Sequence, residues 1–382
     1  YEINLAVLAI PSLPSFFIDP PAVLGSNESL QPGSHYWLAD NRLNVAVVWW
    51  ELAVLPDIWI KALGVFDVVV AASPFIQATL ATHVSNVLTI PAVHPFSVPE
   101  GIAESRARFG LPEDVILFVT SFEPTSDPER KNPFAAIDAF QSAFANDSRA
   151  GLVIKLNNAH TAGRTLVSSL AKLRDQCSGD PRIRIIDETL GHSEVLCLYA
   201  SCDAFVSLHR SEGFGFGLIE TMTLGKPVIA TAWSGNMAFM NQTNSCLVGY
   251  KLIPVDANLP VYSSEFLGRT ATWADPDLEQ AAAWMRKLVD NPEVRISLGE
   301  RAAMDMVEFQ KEARKAKFVD EICAVWQNAA FLSRKSMEDK LKGLQEVERA
   351  LLRQRRSAVP YGKRLREQIH RVADKHILWR FR

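Results

Sequence analysis

Short apolar runs rich in β-branched residues alternate with helix-period segments along most of the 382-residue chain. Parallel sheets with helices on both faces produce this pattern, because each strand is buried on both sides. The apolar runs predict strands over Val45–Trp49, Val68–Ala71, Val87–Ile90, Ile116–Thr120, Leu152–Lys155, Ile183–Ile186, Ala204–Leu208 and Val228–Thr231. The helix-period segments predict helices over Pro56–Leu63, Pro74–Thr82, Pro133–Phe144, Thr161–Gln176, Ser193–Ser201, Phe216–Leu224, Leu278–Asp290 and Val294–Phe309. The predicted fold class is therefore α/β.

A stretch rich in proline and glycine, between Ile90 and Glu113, separates two groups of predicted strands. We therefore predict a first domain over residues 1–100 and a second over residues 111–310. The second holds enough strand–helix units for a complete Rossmann-like sheet. The first holds only three predicted strands, so either it is unusually small or the chain begins partway through it.

Charge is distributed unevenly along the chain. Residues 331–382 hold 15 Lys+Arg against 6 Asp+Glu, a balance of +9, whereas the whole chain carries −3, so the first 330 residues carry −12. Apolar residues recur in this tail at three- and four-residue steps, which is typical of an amphipathic helix. We predict a basic helical tail over 331–382, preceded by a helix over 311–330 that packs on the body. Two interpretations of the tail are equally open: it is attracted to anionic lipid head groups, or it is a solvated helix or a coiled coil that joins subunits or a further domain.

The sequence also bears on the compartment. Its five cysteines lack metal-ligand spacing, which favours reduced thiols in a cytosolic protein. The chain has no apolar run long enough to span a bilayer and does not start with a secretory signal. We expect a cytoplasmic protein, with peripheral contact at the inner face of the membrane through the tail. The net charge of −3 gives no indication of a nucleic-acid partner.

A glycine-rich segment, Leu208–Glu220, carries the strongest chemical signal, since it joins a predicted strand to a predicted helix. Three glycines stand at alternate positions in it: Gly213, Gly215 and Gly217. They let the backbone pass close to a ligand, and the free N–H groups at the helix start attract phosphate. Glu212 and Glu220 flank this turn, and a carboxylate can accept hydrogen bonds from sugar hydroxyls. By their spacing alone the two acids would be interpreted as solvated charges.

This segment resembles the E-x7-E signature of family 4 retaining glycosyltransferases, which have the GT-B fold of two Rossmann-like domains. The strand Lys226–Thr231 and the loop Ser234–Asn236 also resemble that family, and the resemblance runs from Trp49 to Phe309. It implies a GT-B fold here, with the first domain incomplete and with the helical tail added.

The resemblance also implies roles for individual residues. Glu212 would contact the donor sugar, and Glu220 would bind the ribose of the nucleotide. The backbone at Gly213, Phe214 and Gly215 would hold the diphosphate.

A second group of candidates precedes the predicted helix over 133–144. Asn132 is a good N-cap and Pro133 suits a first turn, so Arg130 and Lys131 come directly before a helix start at the carboxyl edge of the sheet. A cation there can neutralise a departing diphosphate. The family resembled places a lysine at this helix start, which Lys131 matches. It also places an arginine just after the first strand, where this chain has Ser121–Glu123, so Arg130 is the candidate to replace it. The alternative is that both residues are solvated.

Four further residues are weaker candidates. Lys155 ends a predicted strand on the same edge and could reach a phosphate, while His209 and Arg210 precede the signature and could line the donor site. Glu51 follows a strand of the first domain and is the acceptor-side candidate, or else a surface carboxylate. We predict no metal site, because no acidic or histidine cluster has metal-ligand spacing, and no cofactor beyond the nucleoside-diphosphate sugar itself.

The expected function is that of a metal-independent, retaining glycosyltransferase. It would move a hexose, with mannose as the best guess, from a nucleoside-diphosphate sugar to a glycan or lipid-linked acceptor, as do similar transferases of bacterial surface-polysaccharide assembly. One alternative is a truncated module that binds nucleotide sugar without transferring it. Another is a GT-B epimerase, against which the Glu212/Glu220 signature argues.

Overall fold

The computed structural model describes residues 3–9, 43–64, 66–84, 88–91, 98–99, 101–157, 164–256, 271–314 and 320–324. The chain divides into two compact units. The first comprises Tyr1–Val93, Pro254–Ala271 and Ala316–Arg382, and the second comprises His94–Ile253 and Thr272–Lys315. The predicted tail over 331–382 lies outside the described residues, as does most of the stretch between 315 and 330.

Four parallel strands form the sheet of the first unit, in the order β1-β2-β3-β4. They are β1 (Ile3–Ala9), β2 (Leu43–Trp49), β3 (Val68–Ala71) and β4 (Leu88–Pro91), with α1 (Asp57–Leu63) after β2 and α2 (Pro74–His83) after β3. Ser73 caps α2 by accepting a hydrogen bond from the Ile76 amide. The helical turn over 320–324 contributes Ile322 to a core cluster with residues of β2 and β3.

The prediction of three strands for this unit was wrong, because β1 precedes them. Its run Ile3–Ala9 contains leucine and alanine, which favour helices as much as strands, so composition does not identify it. Pairing with β2 along all seven residues provides the partner that the local sequence cannot show.

Six parallel strands form the sheet of the second unit, in the order β10-β9-β8-β5-β6-β7. They are β5 (Ile116–Phe122), β6 (Ala150–Leu156), β7 (Ile183–Ile186), β8 (Ala204–Ser207), β9 (Val228–Thr231) and β10 (Cys246–Val248). If the strands of this unit are numbered 1 to 6 from β5 to β10, their order across the sheet, starting from β7, is 3-2-1-4-5-6. This is the strand order of the Rossmann fold.

Seven helices and a two-stranded ribbon complete the described part of this unit. The helices are α3 (Pro128–Lys131), α4 (Pro133–Ala143), α5 (Arg164–Ser178), α6 (His192–Ser201), α7 (Phe216–Thr223), α8 (Leu278–Asp290) and α9 (Pro292–Arg314). The ribbon pairs β11 (Tyr250–Pro254) with β12 (Thr272–Pro276). Short α3 and β10 to β12 were not predicted, because three to five residues carry too little periodicity to stand out.

The core of the second unit lies between the sheet and the helices packed on it. Phe118, Leu152, Val206 and Ile229 come from four different strands, and none of their side chains is exposed. Every residue of β6 is buried, as expected for an inner strand of a parallel sheet. The rigid sheet therefore holds the loops at its carboxyl edge in fixed places. Among the described helices, none has the length and apolarity needed to cross a membrane.

Candidate active site

Two loops carrying predicted site residues leave the same edge of the six-stranded sheet. β5 and β8 are neighbours, with β6 on the other side of β5, so the strand order reverses between them. Open α/β sheets bind ligands outside the carboxyl ends of their strands at such a switch point. Residues 123–132 follow β5 and residues 208–215 follow β8, so the topology itself brings the two loops together.

Hydrogen bonds tie these two loops to each other. The Arg210 amide donates to the Arg130 carbonyl at 2.8 Å, and Asn132 Nδ2 donates to the Leu208 carbonyl at 2.9 Å. The sequence predicted Asn132 as an N-cap, and α4 does begin at Pro133, but the Asn132 side chain makes no capping bond. Instead, the Asn132 side chain joins the two loops through its hydrogen bond to Leu208. Arg130 and Lys131 lie in the last turn of α3 rather than in an irregular loop.

Glu212 lies between two cations. Lys131 Nζ is 2.5 Å from Glu212 Oε1, and Arg130 NH1 is 3.4 Å from Oε2. Arg130 also donates to the Ser211 carbonyl at 2.8 Å and to the Ser126 carbonyl at 3.0 Å. Only 4% of Arg130 and 7% of Glu212 are exposed, so neither is a solvated surface charge. The Lys131 side chain, 21% exposed, is the part of this cluster that solvent or a ligand reaches most readily.

Opposing effects set the pKa of Glu212. Burial raises it, but the charges of Lys131 and Arg130 and the hydrogen bond from Lys131 outweigh burial and lower the pKa to about 2. The carboxyl group is therefore ionised at neutral pH. With its two partners it forms a cluster of net charge +1 at the switch point.

The loop after β9 fixes the backbone at Glu212. The Glu212 amide donates to Ser234 Oγ at 2.7 Å, and the Gly235 amide donates to the Glu212 carbonyl at 2.8 Å. A Cβ atom on Gly235 would lie 2.0 Å from the Gly213 carbonyl oxygen, so only glycine allows this approach. Ser234 has φ of 78°, a costly conformation for a residue other than glycine. The sequence identified this loop only through its family resemblance.

Gly215 makes the turn from the loop into α7. Its φ is 96°, and a Cβ atom there would also meet the Leu218 side chain at 2.9 Å. Gly213, Phe214 and Gly215 are all buried, and the Phe214 ring packs against Phe216 at 5.3 Å between centroids. The Phe214 side chain therefore belongs to the support of the loop. A contribution of these three residues to ligand binding would come from their backbone.

Glu220 lies within α7 and is 4% exposed. Its Oε1 is 2.9 Å from Nε2 of His192, the first residue of α6. The sequence did not indicate His192, which precedes Glu220 by 28 residues and has no motif spacing to it. α6 packs on α7 and brings the pair together.

Two weaker candidates are fully buried. Lys155 donates from Nζ to the carbonyls of Leu156 at 2.6 Å and Glu188 at 2.9 Å, and burial lowers its pKa. The expectation that Lys155 faces a phosphate is not supported, because its side chain turns back onto the loop after β7. His209 is also fully buried, and this burial lowers its pKa. Its Nε2 faces Asn236 Oδ1 at 3.2 Å, so His209 supports the loop after β9 rather than lining a ligand site.

The Arg210 side chain has partners outside the Glu212 cluster. Arg210 NH1 donates to the Glu129 carbonyl at 2.7 Å, and its guanidinium lies over the Trp273 ring at 5.6 Å. It therefore braces α3 and the ribbon. Glu51, in the first unit, follows β2 and is partly exposed. Among the residues that the structure describes, no three His, Cys, Asp or Glu side chains are grouped so as to hold a metal ion.

Known proteins share this fold. Residues 103–251, which lie in the second unit, match the family model of glycosyl transferases group 1. The chain resembles an α,α-trehalose 6-phosphate synthase from Burkholderia multivorans (TM-score 0.57, 12% identity, 87% of this chain and 73% of that one). It also resembles a sucrose-phosphate synthase from Thermosynechococcus elongatus (TM-score 0.56, 16% identity, 75% of this chain and 69% of that one).

A third solved structure, HepE from Anabaena in complex with UDP and glucose, has a TM-score of 0.51 and 14% identity over 72% of this chain and 71% of that one. At such identities the likeness establishes the fold alone, which is GT-B. A search of curated protein sequences finds no match to this chain.

The pKa of Glu212 predicts a pH-dependent contribution to stability. Its folded value of about 2 lies below the ordinary 4.5, so the stabilisation is fully present above pH 4.5 and disappears as the pH falls towards 2. Glu212→Gln should lower the free energy of unfolding at pH 7 by about 2 kcal/mol, since a hydrogen bond to a charged group is lost. Urea unfolding should show the difference from wild type shrinking between pH 4.5 and pH 2. Glu279→Gln, an exposed control on α8, should change the free energy of unfolding little. If the difference between Glu212→Gln and wild type is the same at every pH, the assignment is contradicted.

The close approach of Gly235 to Gly213 leads us to predict that a larger residue at position 235 destabilises the protein. Gly235→Ala must push the loop after β9 away from Glu212, and we expect it to destabilise the protein by about 1–3 kcal/mol. Gly179→Ala is the matched control, because a Cβ atom there meets nothing within 4 Å. Denaturant midpoints of the two variants would measure the contrast, and equal midpoints would show that the loop adapts freely.

Proposed function

We propose that the chain is a retaining glycosyltransferase that moves a hexose from a nucleoside-diphosphate sugar to a glycan or lipid-linked acceptor. The observation that carries the proposal is the buried cluster of Glu212, Lys131 and Arg130 at the switch point of a Rossmann-type sheet. The glycosyl transferases group 1 match over residues 103–251 supports the reaction type. Mannose is the first candidate for the hexose.

In this proposal the diphosphate of the donor binds beside Lys131 and the start of α7. Lys131 is the most exposed member of the cluster, and the backbone N–H groups after Gly213 add donors to it. The positive charge that the diphosphate needs thus comes from side chains, so the proposal includes no metal ion. Glu212 then orients the hydroxyls of the hexose, and Glu220 binds the ribose.

The reaction breaks the bond between the anomeric carbon and the diphosphate oxygen and forms a bond from that carbon to the acceptor oxygen. The acceptor hydroxyl loses its proton to the departing phosphate oxygen, so the products are the glycoside and a nucleoside diphosphate. Negative charge grows on the leaving group in this step. Lys131 and Arg130 stabilise that charge from fixed positions, and positioning of the acceptor supplies the rest of the catalysis.

We place the acceptor on the first unit, where Glu51 follows the carboxyl end of β2. For a lipid-linked acceptor, the basic tail over 331–382 would contribute attraction to anionic head groups. The rival proposal is a module that binds nucleotide sugar without transferring it. A third outcome, an epimerised donor, would identify a different GT-B enzyme.

Lys131→Ala and Glu212→Ala test the proposal directly. A thermal-shift screen against UDP-, GDP- and dTDP-sugars first identifies the donor, since a ligand that binds only the folded state stabilises it. With the labelled donor and a lipid extract as acceptor, each variant should transfer sugar at least about 100-fold more slowly, because transition-state charge loses its stabilisation.

The control is Lys172→Ala, an exposed lysine of α5 that should leave transfer unchanged. Wild-type turnover by either site variant would remove its assigned role. Donor binding by the wild-type protein without any transferred sugar would favour the non-catalytic module.

A further inference from the structure

The environment of Glu220 points to a role for His192, which the proposed reaction does not use. His192 Nε2 lies 2.9 Å from Glu220 Oε1. The His192 side chain is 35% exposed, whereas that of Glu220 is only 6% exposed. The imidazole is therefore the more accessible member of the pair.

Contacts at both ends fix the loop that leads to His192. Lys155 Nζ donates to the Glu188 carbonyl at 2.9 Å, which anchors the loop just after β7. At the other end the Gly191 amide donates to Glu194 Oε2 at 2.7 Å, and α6 begins at the next residue. The buried ammonium of Lys155, unsuited to a ligand contact, is thus used to hold this loop. His192 is presented to Glu220 from a rigid support.

α6 also places Tyr199 near Glu220. Burial raises the pKa of the Tyr199 hydroxyl, and the negative charge of Glu220 raises it further. Glu220 therefore has neighbours from α6 at two positions, one of them a hydrogen-bond partner. A carboxylate offers about four acceptor positions, so the bond from His192 is compatible with further bonds from a ligand with two adjacent hydroxyls.

We propose that His192 is a positioning residue that holds the Glu220 carboxylate for the 2′- and 3′-hydroxyls of a ribose, so that the chain selects ribonucleoside donors over 2′-deoxyribonucleoside donors. The inference rests on the proposed function, in which Glu220 binds the ribose. Sites built to bond a ligand hydroxyl reject analogues that lack it, because a buried acceptor is then left short of a donor. A fixed carboxylate discriminates more sharply than one free to rotate away.

Matched nucleotides test this without knowledge of the donor base. The pairs UDP and 2′-deoxy-UDP, and GDP and 2′-deoxy-GDP, differ by one hydroxyl, and calorimetry gives each dissociation constant. We expect the wild-type protein to bind the ribose form of its preferred base about 10-fold more tightly. His192→Ala should reduce that ratio to less than about 3-fold, whereas His192→Gln, whose amide can still donate to the carboxylate, should retain most of it.

His83→Ala, on α2 of the first unit, is the control and should leave the ratio unchanged. If His192 had only a structural role, its loss would weaken the binding of both nucleotides equally. An unchanged ratio of the two dissociation constants in His192→Ala therefore overturns the inference. Equal binding of the two forms by the wild-type protein also overturns it while leaving the proposed function standing. If no nucleotide binds at all, the proposed function fails and this inference fails with it.

Discussion

The site depends on the burial of one carboxylate between two cations. A buried charge is tolerated only when it is paired and hydrogen-bonded, and Glu212 meets that condition through Lys131 and Arg130. Arg130 also donates to the carbonyls of Ser126 and Ser211, which belong to the loops after β5 and β8. The same guanidinium therefore balances the charge of Glu212 and joins the two loops. Charge and loop geometry cannot be changed independently here.

Backbone strain is concentrated around this cluster. Among the described residues, positive φ at a residue other than glycine occurs at Asp127, Asn132 and Ser234. All three lie in loops at the carboxyl edge of the second sheet, and such conformations cost about 1–3 kcal/mol each. The hydrogen bonds of Asn132 to Leu208 and of Ser234 to Glu212 offset that cost. Among the described residues, positive φ at residues other than glycine is therefore found at this edge of the sheet.

The sequence predicted those parts of the molecule that depend on local pattern. The α/β class and the strands β5 to β9 follow from apolar runs. Arg130 and Lys131 were identified from their places before a helix, and Glu212 was identified through the family resemblance. Contacts that form only when helices and strands pack together could not be predicted from local sequence pattern. His192 meets Glu220 only because α6 packs on α7, and a lysine at a strand end such as Lys155 can turn outward to solvent or inward to carbonyls with the same sequence.

The two acids, Glu212 and Glu220, have different electrostatic surroundings. Glu212 is bonded to two cations, whereas Glu220 is bonded to an imidazole, and the left-handed turn at Gly215 separates them. Glu212 neutralises two cations that would otherwise repel each other. In the proposed function, a diphosphate beside Lys131 would take over part of the pairing that these cations have with the carboxylate. Binding of the anion would then be an exchange of partners, which would allow an acid to lie beside a phosphate site.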